Sequence, residues 1–585
     1  MKKIFFLSFC FFLFFLISCS KVEETSSIPP FDYLRTFGGA FAEDCTTVFP
    51  LKDGTFYVLT NNYSPASNGN VPKSMHLKFH DFMKDLDNAY EKSDIWLFRV
   101  DPKLPYDKQI IYSRCFGGSG YDEYWSACLD EEENMIIGSK SNSTDGDLKK
   151  HNNCKDKCWI FKVDPRQPYD KQIVYSQVFP ASEMWAPLDI EYVNKDICYL
   201  FYNIKRESGN ICSLMKFDFS KTNENNPVFK RDIFFNTSST DLRSWYFSKH
   251  LSVSKDEIVT ILWAVEKDKL FSPMKQNKLL NIDRTINHKD IIDDKVFTNN
   301  LDILFISLNP KLPEKDWIVF SRLIGGSKSE IFPKICKAEN NCFWISCFST
   351  SDDGDMKDNL SEELSSIAIM KINPSLSRDK QIEYSKFIHA DNKHAFHSAP
   401  FSVEQNKVGF LFGIGFIKNG KYKKDISIRY TADEDTFIKK GEYKEDISLT
   451  KKQKEKNIVF SSFEREEKYN SLDYYKVFII DTEKEKYYFQ DINICKAVNG
   501  LLNPNVSFVG SSFLFPIDSC SLPLVGDMPN FKTSFIENYL SRNISLNNFF
   551  KKRSDDVLNK AFSSEIVIGK IDIKNMKEFS NNENK

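Results

Sequence analysis

The chain is built from short apolar or alternating runs, each a few residues long and separated by turn residues. The clearest set is Trp125–Leu129, Met135–Lys140, Trp159–Val163 and Gln172–Phe179. Runs this short, bounded by Gly, Pro, Asn and Asp, predict β-strands. Several are apolar on successive residues, as in Ile303-Leu304-Phe305-Ile306. That predicts sheets buried on both faces.

The set of four runs recurs. Trp96 to Ser113 reads WLFRVDPKLPYDKQIIYS and Trp159 to Ser176 reads WIFKVDPRQPYDKQIVYS. Ile303 to Ser321 and Ile367 to Ser385 are diverged copies. Phe116-Gly117-Gly118-Ser119, Ile324-Gly325-Gly326-Ser327 and Phe37-Gly38-Gly39 follow the same strand in three units. A four-stranded unit packed on both faces by copies of itself is a propeller blade. These landmarks, with Asp145-Gly146-Asp147 and Asp353-Gly354-Asp355, resemble the bacterial β-propeller repeats of the SBBP type. The resemblance covers about half the chain and implies an architecture, not an activity.

The expected fold is therefore an all-β propeller over residues 31–575. Units start near 34, 113, 176, 233, 321, 385, 445 and 493, giving about eight four-stranded blades, with seven as the alternative. Tyr33 to Phe37 corresponds to a fourth strand and Glu565 to Lys574 to a third, so the two ends are expected to close one blade together. Two β-sandwich domains are the competing arrangement, but no linker-like break divides the chain. Residues 576–585 read as a polar tail.

The N-terminus reads as an export signal. Lys2 and Lys3 precede an apolar run from Ile4 to Ile17, too short to span a bilayer as a helix. It ends in Leu16-Ile17-Ser18-Cys19, which resembles the lipobox of bacterial lipoproteins. Residues 1–18 are then a signal peptide, Cys19 the acylated N-terminus and 19–30 a flexible tether. The resulting expectation is a membrane partner through the lipid, at the outer membrane or cell surface rather than the inner membrane. The formal charge of −2, or −4 after cleavage, carries no signature of nucleic-acid binding.

With strands A to D counted from inside to outside, the B–C and D–A connections share one face. Insertions near 62–92, 266–300 and 519–564 fall in B–C connections, which predicts an elaborated face. Candidate residues there are Glu43, Asp44, Asp122, Glu123, Glu183 and Glu330, at the entry to inner strands. They either ring the channel mouth or hold loop amides. His389, His394 and His397 stand where the Gly-Gly landmark is lost, and could hold zinc or act as acid and base. His76 and His80 are four apart, without the Glu of a zinc-binding helix motif. Asp145, Asp147, Asp353 and Asp355 are weak calcium candidates, lacking the closing Glu of an EF-hand; no other cofactor is expected. Phe531, Phe535, Tyr539 and Leu540 form a helical stripe in the last insertion, ahead of a helix start at Ser554.

Of 14 cysteines, Cys10 leaves with the signal and Cys19 carries the lipid. Cys154 with Cys158, and Cys336 with Cys342, read as local disulfides or free thiols rather than metal ligands. No nucleophile elbow, P-loop or dinucleotide fingerprint is present in the sequence. The leading expectation is a non-catalytic binding or scaffold lipoprotein that engages a protein or glycan through the elaborated face. The alternatives are a polysaccharide hydrolase or lyase with acidic channel residues, and a periplasmic outer-membrane assembly factor.

Overall fold

In the computed structural model each unit folds into an antiparallel sheet of four main strands, and seven such sheets form the ring of a β-propeller. The structure describes residues 32–579 except 40–42, 65–69, 77–91, 152–155, 181–183, 185, 195, 207–208, 222–226, 237–249, 267–300, 314–315, 360–365, 390–393, 399–400, 419–420, 423–456, 460–472, 493–505, 510 and 520–564. The signal, Cys19, the tether and the Phe531 stripe lie outside the described residues.

Blade 1 comprises Glu43–Pro50, Phe56–Asn62, Asp94–Val100 and Ile110–Phe116, in the order A to D. Blade 2 is Asp122–Leu129, Met135–Ser141, Lys157–Val163 and Ile173–Pro180. Blade 3 is Ala186–Asn194, Ile197–Arg206, Gly209–Asp218 and Phe229–Asn236. Blade 4 is Leu251–Val253, Val259–Glu266, Leu301–Leu308 and Ile318–Ile324. Blade 5 is Glu330–Lys337, Phe343–Ser349, Ser366–Ile372 and Ile382–His389. Blade 6 has a divided inner strand, His394–Ser398 and Phe401–Glu404, then Lys407–Lys418, Asp473–Asp481 and Lys486–Ile492. Blade 7 is Ser507–Val509, Ser512–Ser519 and Glu565–Asp572, completed by Tyr33–Phe37 from the other end of the chain.

That closure has a defined register, from Tyr33 opposite Lys570 to Phe37 opposite Ile566. It removes the open edges that a linear array would expose. The core follows from it. Seven apolar clusters are present among the described residues, one between each pair of neighbouring blades, including Leu514, Ile566 and Ile568 of blade 7 against Val58, Trp96 and Phe98 of blade 1. Two-sided burial explains the unbroken apolar runs. The repeated Trp also has a local reason. Nε1 of Trp96 donates to Ser113 and that of Trp159 to Ser176, both at 2.9 Å, while each indole packs on the Phe two residues later. Burial of so large a ring needs such a partner for its N–H.

The count of eight is corrected to seven. The unit expected near 445 is not a blade, because Asp473–Asp481 and Lys486–Ile492 are the outer strands of blade 6. A long B–C connection, 419–472, imitates a separate repeat by its length. Two short strands cover outer edges: Asn457–Val459 pairs with blade 5 and Lys577–Phe579 with blade 6. Part of the predicted polar tail is thus an edge strand.

Candidate functional site

Strand direction sorts every connection onto one of two faces. All A–B and C–D connections within the ring are ten residues or shorter. The B–C connections 63–93, 267–300, 419–472 and 520–564 leave from the other face, together with the Gly-Gly loops. One more insertion lies on this face than the sequence reading found.

The acidic residues at the inner-strand entries are turned into the protein. Glu43, Asp122 and Glu330 are each 0% exposed. Glu43 accepts from the Gly39 amide at 2.9 Å and Ser64 Oγ at 2.8 Å. Asp122 accepts from the Gly118 amide at 2.8 Å and Ser143 Oγ at 2.7 Å. Glu330 accepts from the Gly326 amide at 3.2 Å and Ser349 Oγ at 2.8 Å. These carboxylates hold the loop amides.

A second carboxylate meets two of them. A Cβ added to Gly117 would lie 2.5 Å from Asp122 Oδ2 and 2.8 Å from Asp94 Oδ1. One added to Gly325 would lie 2.5 Å from Glu330 Oε2 and 2.6 Å from Asp302 Oδ1. The first Gly of the landmark is therefore the only residue small enough to sit between the two acids. Burial, followed by the charge of Asp94, pushes the Asp122 pKa up to about 7. Burial, with the charge of Asp302 working against the Ser351 and Ser349 hydrogen bonds, pushes Glu330 up to about 8. Asp94 is also raised, mainly by burial.

Asp94 has one further partner. His76, from the first insertion, places Nδ1 and its backbone amide each 2.9 Å from Asp94 Oδ2. Burial opposes a charge on His76, but the hydrogen bond and charge of Asp94, backed by Asp147 and Asp122, hold its pKa above the ordinary value. The insertion is pinned to the blade at this point. His80 lies outside the described residues.

The Asp-Gly-Asp loops close over the Gly-Gly loops. Asp145 Oδ1 accepts from the Ser119 amide at 2.7 Å, and Asp353 Oδ1 from the Ser327 amide at 2.6 Å. Asp147 is paired with Arg114 at 2.8 Å and Asp355 with Arg322 at 2.6 Å. The four calcium candidates thus have amide or guanidinium partners. Among the described residues no group of three or more His, Cys, Asp or Glu is placed to hold a metal.

The arginines were not singled out from the sequence, although each stands two residues before Phe-Gly or Ile-Gly. They latch neighbouring blades. Arg35, Arg114 and Arg322 donate to Gln109, Gln172 and Gln381, in the C–D turn of the next blade, at 2.8, 3.0 and 2.9 Å. The recurring Asp-Lys-Gln segment supplies these acceptors.

Other candidates are scattered. Glu123 is half-buried and accepts from Tyr63 Oη at 2.9 Å. His389 is buried at the end of blade 5, with Nδ1 2.8 Å from Ser366 Oγ. His394 and His397 lie in the first segment of the inner strand of blade 6, and Asp44 in that of blade 1. Glu183 and Cys154 lie outside the described residues. Cys158 and Cys342 are thiols, and no disulfide joins Cys336 to Cys342. Cys45 and Phe332, equivalent bulge residues of blades 1 and 5, have φ of 57° and 53°. Such residues rarely enter the left-handed region, and the bulges bend both inner strands at the mouth of the ring.

No protein-family model and no curated protein matches the chain. Solved structures do. A protein of unknown function from Dyadobacter fermentans matches with TM-score 0.31 and 8% identity, over 67% of this chain and 96% of that one. A glycoside hydrolase matches with TM-score 0.27 and 7% identity, over 93% and 92%. An α-L-arabinofuranosidase from Fusarium graminearum matches with TM-score 0.31 and 10% identity, over 64% and 92%. These likenesses carry no argument about substrate or activity.

Proposed function

We propose that this protein is a non-catalytic, lipid-anchored binding protein of the bacterial cell envelope, which engages a protein or a glycan through the insertion-bearing face. The observation that carries this reading is the asymmetry of the ring: four connections of more than thirty residues leave one face, while those on the other are held to ten or fewer. Long loops on a rigid scaffold are the usual carriers of recognition. The burial of Glu43, Asp122 and Glu330, each occupied with loop amides, favours binding over hydrolysis by these acids.

The test joins a glycan array with photocrosslinking of the full-length protein in intact cells. Crosslinkers at Asn68 and Asn287, in two insertions, are expected to give a discrete adduct or to lie beside a saturable glycan site. Crosslinkers at Lys103 and Arg166, on the opposite face, are expected to give neither. Release of new sugar ends from a polysaccharide panel, or adducts confined to Lys103 and Arg166, would overturn the reading.

A further inference from the structure

We infer that the short-turn face rests directly on a lipid bilayer, with Leu104, Tyr106, Tyr169, Leu312, Trp317 and Leu376 seated in the headgroup zone. The inference builds on the N-terminal lipid anchor proposed above. It adds a second, protein-borne contact.

The leucines are not required by their turns. Leu104, Leu312 and Leu376 occupy the same place in three C–D turns, three residues after Asp101, Asn309 and Asn373. Each amide closes its turn on that Asp or Asn carbonyl, at 3.3, 3.1 and 3.3 Å. Gln167 fills the equivalent place in blade 2 and makes the same bond to Asp164 at 3.2 Å. A polar residue therefore serves the turn equally well, yet three blades expose leucine there, at 36, 39 and 39%.

Polar-ended rings stand in the same set of turns. Tyr106 and Tyr169 are exposed, each with a guanidinium of the neighbouring blade over its face, Arg35 at 4.0 Å and Arg114 at 4.2 Å. Trp317 donates from Nε1 to the Leu312 carbonyl at 2.8 Å, which holds its indole beside that leucine. Leucine with Tyr and Trp in one set of turns is the composition of a membrane-interface belt.

The occupant follows from the tether and the charges. Asp32, the first described residue, is fixed to this face by Asn575 and Ser512. Residues 20–31 reach at most roughly 45 Å when fully extended, so a lipid on Cys19 holds the ring close to the bilayer and joins it from this face. Acidic and basic residues balance in these C–D turns, as in Asp101, Lys103, Asp107 and Lys108 or Asp164, Arg166, Asp170 and Lys171. With no cationic surplus the attraction is apolar, so a zwitterionic bilayer suffices and salt has little effect.

The test uses lipidated full-length protein in phosphatidylcholine vesicles, with and without phosphatidylcholine brominated near the headgroup end of its acyl chains. Brominated lipid is expected to quench part of the tryptophan fluorescence, equally at low and high salt. Trp317→Phe, which keeps an aromatic ring against Phe229, should abolish the quenching. The triple variant Leu104→Ser, Leu312→Ser, Leu376→Ser should reduce it at least about threefold while flotation with vesicles is unchanged, since each inserted leucine is worth about tenfold in partition. Protein that floats with vesicles but is not quenched overturns the docking and leaves the anchor standing. Quenching that survives Trp317→Phe, or that salt removes, also overturns it. Protein that fails to float overturns the anchor and the docking together.

Discussion

The side-chain amide of Asn575 donates to Asp32 at 3.1 Å, joining residues 543 apart in the sequence. Ser512 adds a second bond to the same carboxylate at 3.4 Å. Both partners belong to blade 7 or the turn that leaves it. The last blade thus grips the chain just before its first strand and fixes that point of the chain on the short-turn face.

Closure by two ends makes the C-terminal segment decisive for stability. Removing residues 565–585 deletes the third strand of blade 7, including Ile566, Ile568 and Ile571, all 0% exposed. At about 1.5–3 kcal/mol for each buried side chain, with the edges of two strands left bare, the loss is comparable to the whole stability of a typical domain. The truncated protein is expected to show no cooperative melting transition by circular dichroism. Removing only 577–585 strips an outer edge strand and should lower the melting temperature by a few degrees. A wild-type transition in the longer truncation would refute ring closure.

The inter-blade latch predicts that Arg114 cannot be replaced by lysine. Its guanidinium donates to Asp147, Gln172 and the Tyr169 carbonyl and stacks on Phe116 and Tyr169. Lysine keeps the charge but not the planar fork. Arg114→Lys is expected to cost about 2 kcal/mol, and Arg114→Ala about 3–5 kcal/mol because Asp147 loses its counter-charge. Urea unfolding measures both, and a cycle with Asp147→Asn should recover part of the alanine loss. A change below about 0.5 kcal/mol for alanine would show that the latch is idle.

Much of this was legible because repetition exposes it. The Trp96–Phe98 and Trp159–Phe161 pairs, the Gly-Gly loops and the complementary chain ends all recur in the primary structure, and each has a local physical reason. The pairing of Asp94 with Asp122 was not legible. The two acids come from different blades and meet only where Gly117 leaves room. His76 gave too weak a signal because its partner, Asp94, begins the strand after the insertion. The blade count erred at blade 6, where residues 419–472 open a gap as long as a repeat between strands that are adjacent in space. Masking by an insertion is a general limit of period-based reading, since the sequence shows chain distance and the sheet records pairing.

The acid pairs predict an unusual pH response. Asp122 and Glu330 have folded pKa values of about 7 and about 8, above their ordinary 3.8 and 4.5. An acid raised in this way holds its proton more tightly when folded. Its stabilisation is complete below the ordinary value and is lost as pH rises through the folded one. His76, also raised, adds stability below about pH 6.5 that is lost above it. All three act in the same direction, so stability should fall by on the order of 2–4 kcal/mol between pH 5 and pH 9. Urea midpoints at the two pH values measure this. Asp122→Asn and Glu330→Gln should each flatten the dependence, whereas stability that rises with pH would refute the buried-acid account.

The last prediction concerns which way the ring faces. Tyr33–Phe37 is an outermost strand that runs from the short-turn face towards the Gly-Gly face. The segment before Tyr33 therefore joins the ring on the face opposite the strand ends from which the insertions leave. Cys19→Ala is expected to release the protein from membranes while leaving its melting transition intact, because Cys19 precedes the first strand, Tyr33–Phe37. In reconstituted membranes, single cysteines at Asn68 and Asn287 should react with a bulky maleimide as fast as in detergent. Cysteines at Lys103 and Arg166 should react several-fold more slowly on membranes than in detergent. Equal protection of the two sets would place the ring edge-on to the bilayer, and faster labelling at Lys103 and Arg166 would invert it. Either result would remove the geometric ground for a ligand on the insertion-bearing face, because that face must point away from the membrane to meet one.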